Sequence, residues 1–152
     1  MLSTPAVSAL IRKLNAEGKD CFGGIVLSAS HNPAGPDEDF GIKFNGRNGG
    51  PSVESVTEEI FKKSKVIESY PLLEGFTSVD TSSIGVHSLS VEGSEHIVTV
   101  IDNANFYVEY MQTLFNFEKI KALINRPDFS MCFDGMHGVS GPYAEKIFGE
   151  IF

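Results

Sequence analysis

The sequence predicts an α/β protein, a mixed sheet layered with helices, and three observations carry that prediction. Val7, Leu10, Ile11 and Leu14 recur at helical spacing behind a Thr4-Pro5 start. A glycine pair then opens Gly23-Gly24-Ile25-Val26-Leu27, a short apolar run of the kind that forms a buried strand. Two further β-rich runs, 84–89 and 96–101, flank Val91-Glu92-Gly93-Ser94, a hairpin signal. A helix followed by a buried strand is the opening of a layered arrangement.

Taken in order, Thr4 offers a capping hydroxyl and Pro5 suits the first helical position, while Gly18 supplies the stop. After the glycine-led strand the chain turns polar at Ser28-Ala29-Ser30-His31-Asn32-Pro33. Proline biases Asn32 away from helix, so Ser30 and His31 are expected on a loop just past the strand. Residues 33–39 form a loop rich in Pro, Gly and acids. Ile42-Lys43-Phe44 then reads as a second strand, with Ile42 and Phe44 on one face and Lys43 on the other. If the apolar pair faces the core, Lys43 points to the open side.

Gly46 to Pro51 is turn-rich, and Ser52 can cap a helix carrying Val53, Val56, Ile60 and Phe61. Its outer face holds Glu58–Lys62 and Glu59–Lys63 pairs, a solvated surface. Ser69 to Ser83 is irregular. In the hairpin, Ile97 to Ile101 is β-branched throughout, which predicts burial on both faces. His87 and His96 are expected to be partly exposed strand-end residues. Asp102-Asn103 caps one long helix over 104–124, whose apolar set is Phe106, Tyr110, Leu114, Phe117 and Leu123 and which links two domains. Phe129 to Phe133 reads as a strand and Val139 to Phe152 as a helix, joined by a turn with Gly135, Gly138 and Gly141. Such a turn can present backbone N–H groups to a phosphate, but its spacing is not the dinucleotide fingerprint, which makes a dinucleotide-binding domain a remote alternative.

Composition narrows the class. The chain has 152 residues, 41% of them hydrophobic and 21% charged, which is ordinary globular material with enough apolar content for a core. A net charge of −8 argues against nucleic acid as a partner. No apolar run approaches a membrane span, and no membrane partner is expected. Cys21 and Cys132 stand far apart and fit reduced thiols in a cytoplasmic protein, and the four histidines are scattered.

Ser30 is a hydroxyl at a strand end beside the imidazole of His31, a plausible place for nucleophilic chemistry. Lys43 and Arg47 add positive charge nearby, countered by Asp37, Glu38 and Asp39. More specific is the run Ala29-Ser30-His31-Asn32-Pro33, followed by Asp39-Phe40-Gly41-Ile42-Lys43-Phe44-Asn45 and Asn48-Gly49-Gly50-Pro51. Together these segments resemble the active-site region of the α-D-phosphohexomutase family, most closely its phosphoglucomutase branch. The resemblance extends from Leu2-Ser3-Thr4-Pro5 to Asp134-Gly135-Met136-His137-Gly138, nearly the whole chain.

The resemblance implies interconversion of glucose 1-phosphate and glucose 6-phosphate through a phosphoserine and glucose 1,6-bisphosphate. Carried over by position, Ser30 is the phosphoryl carrier and, once phosphorylated, a Mg²⁺ ligand. His31 and Lys43 are candidates for proton transfer and for stabilising phosphate oxygens, the choice between them being open. Asn32 shapes the loop, and Arg47 is a further substrate or loop residue. A hexose phosphate is the implied partner. The implied organisation is a partial first domain over 1–102, then a linker helix and the first strand and helix of a second similar domain over 103–152.

Departures bear on activity. Ser28 stands where the family favours threonine, and Ala34 where it favours glycine. The family's aspartate-rich magnesium loop, its sugar-selecting loop and its phosphate-binding loop have no counterpart here. The chain thus reads as a fragment that needs the remainder of a mutase chain to complete its site, and it is expected to lack useful turnover alone. The alternatives are a non-catalytic, mutase-derived binding or scaffolding protein and a relative selective for mannose or glucosamine phosphates.

Overall fold

The structure, a computed structural model, describes residues 2–72 and 78–152, and the chain divides into two compact units, residues 1–67 and 68–152. The expected irregular stretch 69–83 falls partly on residues 73–77, outside those described.

In the first unit, α1 (Thr4–Ala16) starts one residue earlier than the sequence suggests. Ser3 is its cap, the hydroxyl accepting from the Ala6 N–H, and this moves Thr4 into the helix. Strands β1 (Gly24–Leu27) and β2 (Ile42–Asn45) pair antiparallel with Val26 opposite Lys43 and Ile25 opposite Phe44. Cross-strand partners share a face, so Gly24, Val26, Lys43 and Asn45 lie on one side and Ile25, Leu27, Ile42 and Phe44 on the other.

Helix α1 covers the first side. A Cβ at Gly24 would lie 3.0 Å from both Val7 and Ile11, so the missing side chain lets the helix seat on the sheet. Ala6, Ala9, Ile11 and Val26 form this small core. Asn45, only 2% exposed, donates from Nδ2 to Ser8 Oγ and to the Gly49 carbonyl, 3.0 Å each, tying helix, strand and turn together.

The other side corrects two expectations. β1 is not buried throughout, since Ile25 is 69% exposed and Leu27 62%. Nor does the Ile42/Phe44 pair face the α1 core; it borders an apolar groove of about 450 Å³ shared with Ile60 and Phe61 of α2 (Glu54–Ser64). Alternation holds, but the α1 core lies on the side of Lys43, which itself stays exposed. Helix α2 is capped by Val53 with no side-chain bond, and Ser52 lies one residue ahead of the cap, its N–H donating to the Phe44 carbonyl. Its ion pair is Lys62–Glu59, three residues apart rather than four, at 2.8 Å.

The second unit opens with the hairpin of β3 (Gly85–Val91) and β4 (Ser94–Val100), longer than the sequence suggests and closed by the two residues Glu92 and Gly93. The two sheets of the α/β fold are thus each antiparallel pairs. Burial of β4 on both faces fails, with Ile97 62% exposed, since a lone pair of strands has no second covering layer here. His87 sits mid-strand, half-buried, its Nε2 2.9 Å from the Ser83 carbonyl, and His96 is exposed opposite Leu89.

The single long helix breaks in two. α3 (Asn103–Leu114) is capped by Asp102 and α4 (Phe117–Ile124) by Asn116, whose Oδ1 accepts from the Lys119 N–H at 2.9 Å. That cap competes with helix continuation, and Phe115 goes extended at φ −121° and ψ 142°. Residues 129–133 form no strand; they lie unpaired, and a strand exists only through a partner's hydrogen bonds. The last helix begins at α5 (Gly141–Ala144) and widens into π-helical turns over Glu145–Ile151. Tyr143 packs edge-on against Tyr107 at 5.3 Å, and Phe148 lies 5.7 Å from Phe133 and 6.0 Å from Phe152.

Among the described residues no helix is long and apolar enough to cross a membrane.

Candidate active site

The loop between β1 and β2 carries Ser30, His31 and Asn32, three of the residues singled out in the sequence. At its neck the Ser28 N–H donates to the Gly41 carbonyl at 2.9 Å, continuing the strand pairing by one step. A Cβ at Gly41 would stand 2.5 Å from the Ser28 carbonyl, so this close approach demands glycine. Above the neck, Ser28 Oγ accepts from the Ser30 N–H at 2.9 Å, a local turn that Ser favours. Ser30 itself sits at φ 63°, in the left-handed region that a non-glycine residue occupies at a cost of about 1–2 kcal/mol.

This turn lifts the Ser30 side chain out of the strand path and leaves it exposed. Its Oγ lies 3.3 Å from His31 Nδ1, within reach of a hydroxyl proton when that nitrogen is unprotonated. Lys43, across from Val26, lines the same open pocket of about 280 Å³ as Ser28, Ser30, Asn32 and Asp39. Ser30, His31, Asn32 and Lys43 are therefore gathered at one end of the β1–β2 pair.

Arg47 is not brought to them. It follows Asn45, whose partner Gly24 marks the opposite end of the antiparallel pair, and there it forms an ion pair with Asp20 while its carbonyl accepts from Asn15 Nδ2 at 2.8 Å. Sequence reasoning gave Asp39 no role, yet its Oδ2 accepts from Asn32 Nδ2 at 2.6 Å and its N–H donates to the Pro33 carbonyl at 3.2 Å. An Asn and an Asp at the two ends of a Pro- and Gly-rich loop are the only sequence signal of that contact.

Chemically, the arrangement presents a hydroxyl, a neighbouring imidazole and an ammonium group around an open pocket. It does not house a divalent metal by itself. Among the described residues no group of three or more His, Cys, Asp or Glu side chains could hold one, and the carboxylate that lines the pocket, Asp39, accepts from Asn32. The present donor set does not fit a magnesium site.

Comparison with known proteins adds ancestry. The family model described as phosphoglucomutase/phosphomannomutase, alpha/beta/alpha domain I, matches residues 1–71. A protein of Bromus inermis named phosphoglucomutase, cytoplasmic, is 53% identical over 149 residues, covering 97% of this chain and 26% of its own length. A probable cytoplasmic phosphoglucomutase of Arabidopsis thaliana is 48% identical over 151 residues, again 26% of its length. The crystal structure of an exocytosis-sensitive phosphoprotein, pp63/parafusin, a phosphoglucomutase of Paramecium in its open form, superposes with a TM-score of 0.86 at 42% identity. That match covers 99% of this chain and 28% of the other. The chain spans about a quarter of the length of the curated relatives it matches, 26% in each case above. By these matches residues 1–71 are similar to domain I of the phosphoglucomutase/phosphomannomutase family, and nearly the whole chain is similar to about a quarter of a phosphoglucomutase.

Proposed function

We propose that this chain carries the phosphoserine loop of a phosphoglucomutase, with Ser30 as the residue that takes up and returns a phosphoryl group. The observation that supports it best is the Ser30 geometry, an exposed hydroxyl held in a left-handed conformation 3.3 Å from His31 Nδ1. In the half-reaction, Ser30 Oγ attacks a phosphorus of glucose 1,6-bisphosphate and the Oγ–P bond forms as the sugar O–P bond breaks. The Ser30 proton passes to His31 Nδ1, and a proton returns to the leaving sugar oxygen. Lys43 stabilises the phosphate oxygens by charge. Running backward, the same step delivers the phosphoryl group to the other hydroxyl of a hexose monophosphate. Asn32 shapes the loop, and Arg47 stands apart from these roles.

Magnesium belongs to the proposal only through the family. A phosphorylated Ser30 offers one oxygen ligand, and the rest of the coordination, like the sugar-selecting contacts, falls to the remainder of a mutase chain. The cytoplasm is the proposed setting, as in the relatives named for it. The proposed domain boundary stays at 102/103, a statement of ancestry distinct from the packing division between residues 67 and 68.

The test is the half-reaction rather than turnover. Incubation of the 152-residue chain with glucose 1,6-bisphosphate and Mg²⁺ is expected to place one phosphoryl group on Ser30, mapped by peptide mass, and none in Ser30→Ala. Equal labelling of the two proteins, or none in either, overturns the proposal and favours a binding role. Sustained glucose 1-phosphate conversion by this chain at a rate near that of a full-length relative overturns the expectation that it lacks turnover alone.

A further inference from the structure

The contact that sequence reasoning did not foresee carries a consequence for the nucleophile. Asp39 meets the loop at three places. Its Oδ2 accepts from Asn32 Nδ2 at 2.6 Å, its N–H donates to the Pro33 carbonyl at 3.2 Å, and its backbone forms a parallel bridge with Ala34. Two residues further on, the Gly41 carbonyl accepts from the Ser28 N–H. Residues 33–38 are thereby cinched at their base, with Asn32 fastened on one side of the neck and Ser28 on the other.

Ser30 and His31 lie between those two anchors. Ser28 Oγ fixes the Ser30 N–H, and the Asn32 N–H donates to the Ala29 carbonyl at 3.2 Å, so a tight turn spans residues 29–32. On its own such a turn, exposed and with a strained residue at φ 63°, has no reason to persist. The bond from Asn32 to a carboxylate is charge-assisted and short, hence stronger than a neutral pair. Among the described residues it is the one side-chain hydrogen bond that joins this turn to the returning limb of the loop.

We infer that Asp39 is a positioning residue for Ser30, acting through Asn32 to hold the turn 29–32 so that Ser30 Oγ and His31 Nδ1 stay within reach of one another. The inference rests on the proposed role of Ser30 as phosphoryl acceptor. Asp39 need not touch the sugar; its work is geometric, and a displacement of about 1 Å at a reacting atom suffices to slow transfer by roughly a hundredfold. Asp39 and Lys43 line the same pocket, so a test must separate loss of the carboxylate's charge from loss of its hydrogen bond.

Asp39→Asn separates them, because its Oδ1 still accepts from Asn32 Nδ2 while the charge is gone, whereas Asp39→Ala loses both. Three measurements on the 152-residue chain decide it: phosphoryl incorporation on Ser30 from glucose 1,6-bisphosphate, amide hydrogen exchange over residues 29–32, and the ¹⁵N shift of His31 Nδ1. Asp39→Ala is expected to slow incorporation about tenfold or more, to speed exchange over 29–32 by a similar factor, and to move the Nδ1 signal toward that of a free imidazole. Asp39→Asn is expected to stay within about threefold of the unsubstituted chain on the first two and to keep the Nδ1 signal. An Asp39→Ala chain that matches the original in exchange and Nδ1 shift overturns the inference, as does an Asp39→Asn chain as impaired as Asp39→Ala. If the unsubstituted chain takes up no phosphate, the reading of Ser30 fails. Exchange and the Nδ1 shift then still decide whether Asp39 holds the turn.

Discussion

Among the described residues, two antiparallel strand pairs differ in how they are joined. β3 and β4 are closed by Glu92 and Gly93 alone, both left-handed at φ 49° and 80°. β1 and β2 are joined by residues 28–41, which contain one left-handed residue, Ser30 at φ 63°. In the tight hairpin positive φ is what a two-residue connection requires, because only that geometry matches the twist of the strands. In the long loop nothing about closure requires it. Strain in the second case is local to an exposed hydroxyl, and an outlier without a closing role points to function.

The same contrast extends to glycine and gives the largest expected effect. Gly49 and Gly93 have nearly the same φ, 79° and 80°. A Cβ at Gly49 would lie 2.4 Å from the Ser8 carbonyl, while one at Gly93 meets nothing within 4 Å. Gly49→Ala should therefore destabilise the first unit by about 3 kcal/mol or more, from conformational strain together with a backbone clash. Gly93→Ala should cost about 1 kcal/mol, from strain alone. Denaturant titrations read by amide exchange in each unit measure both. Equal losses would show that surroundings do not distinguish the two turns.

Asn45→Ala comes next, at about 2–3 kcal/mol. It removes two hydrogen bonds and leaves the Ser8 hydroxyl and the Gly49 carbonyl without their donor in a site that is 2% exposed at Asn45. Asn45→Asp should not rescue it, because a carboxylate cannot donate to a carbonyl. Exchange protection in α1 reports the loss, since Ser8 lies on that helix. Full protection in Asn45→Ala would remove Asn45 as the tie between helix and turn.

How far all this was legible depends on the range of the interaction. The β3–β4 hairpin, the α1 stripe and the Ser30–His31 neighbourhood are set by residues within a few positions of each other, and sequence pattern reads them well. Exposure of Ile25 and Ile97 was not legible, because an apolar run states what a strand could bury and not what covers it. Asn116 was missed as a helix breaker since the same residue in a helix interior looks merely weak. Arg47 was grouped with Ser30 because both flank a motif, whereas an antiparallel pair carries them to opposite ends. Asp39 was overlooked for the converse reason. Its partner Asn32 is seven positions away along a loop whose path pattern alone does not trace.

A smaller effect is expected at the tight turn itself. Glu92 occupies the left-handed region without a glycine's freedom, and Asn tolerates that region better. Glu92→Asn should stabilise the β3–β4 hairpin by about 0.5 kcal/mol, seen as slower exchange across that pair. The corresponding relief at the long loop, Ser30→Gly, should also ease strain but abolish phosphoryl uptake. Strain and chemistry thus separate at one position and not at the other.

The smallest effects concern two exposed carboxylates, one in each unit, both held below their ordinary range. Glu17 is lowered mainly by its hydrogen bond with Lys13, with added attraction from Lys13 and Lys19. Asp80 is lowered mainly by the Ser82 hydroxyl and then by the Ser82 N–H, with a lesser pull from His87. In each the folded carboxyl ionises more readily than in the unfolded chain. Its contribution is therefore complete above the unfolded value and is lost as pH falls through the folded one. The causes differ in their response to salt. Raising the ionic strength to about 1 M shrinks the screening length to roughly 3 Å, which weakens pairing between exposed charges but leaves a bond from a neutral hydroxyl in place. Carboxyl titration by ¹³C resonance in low and high salt should show Glu17 moving back toward its ordinary range while Asp80 stays depressed. Equal movement of the two would mean that Asp80 is held by charge, with His87 and not Ser82 as its effective partner.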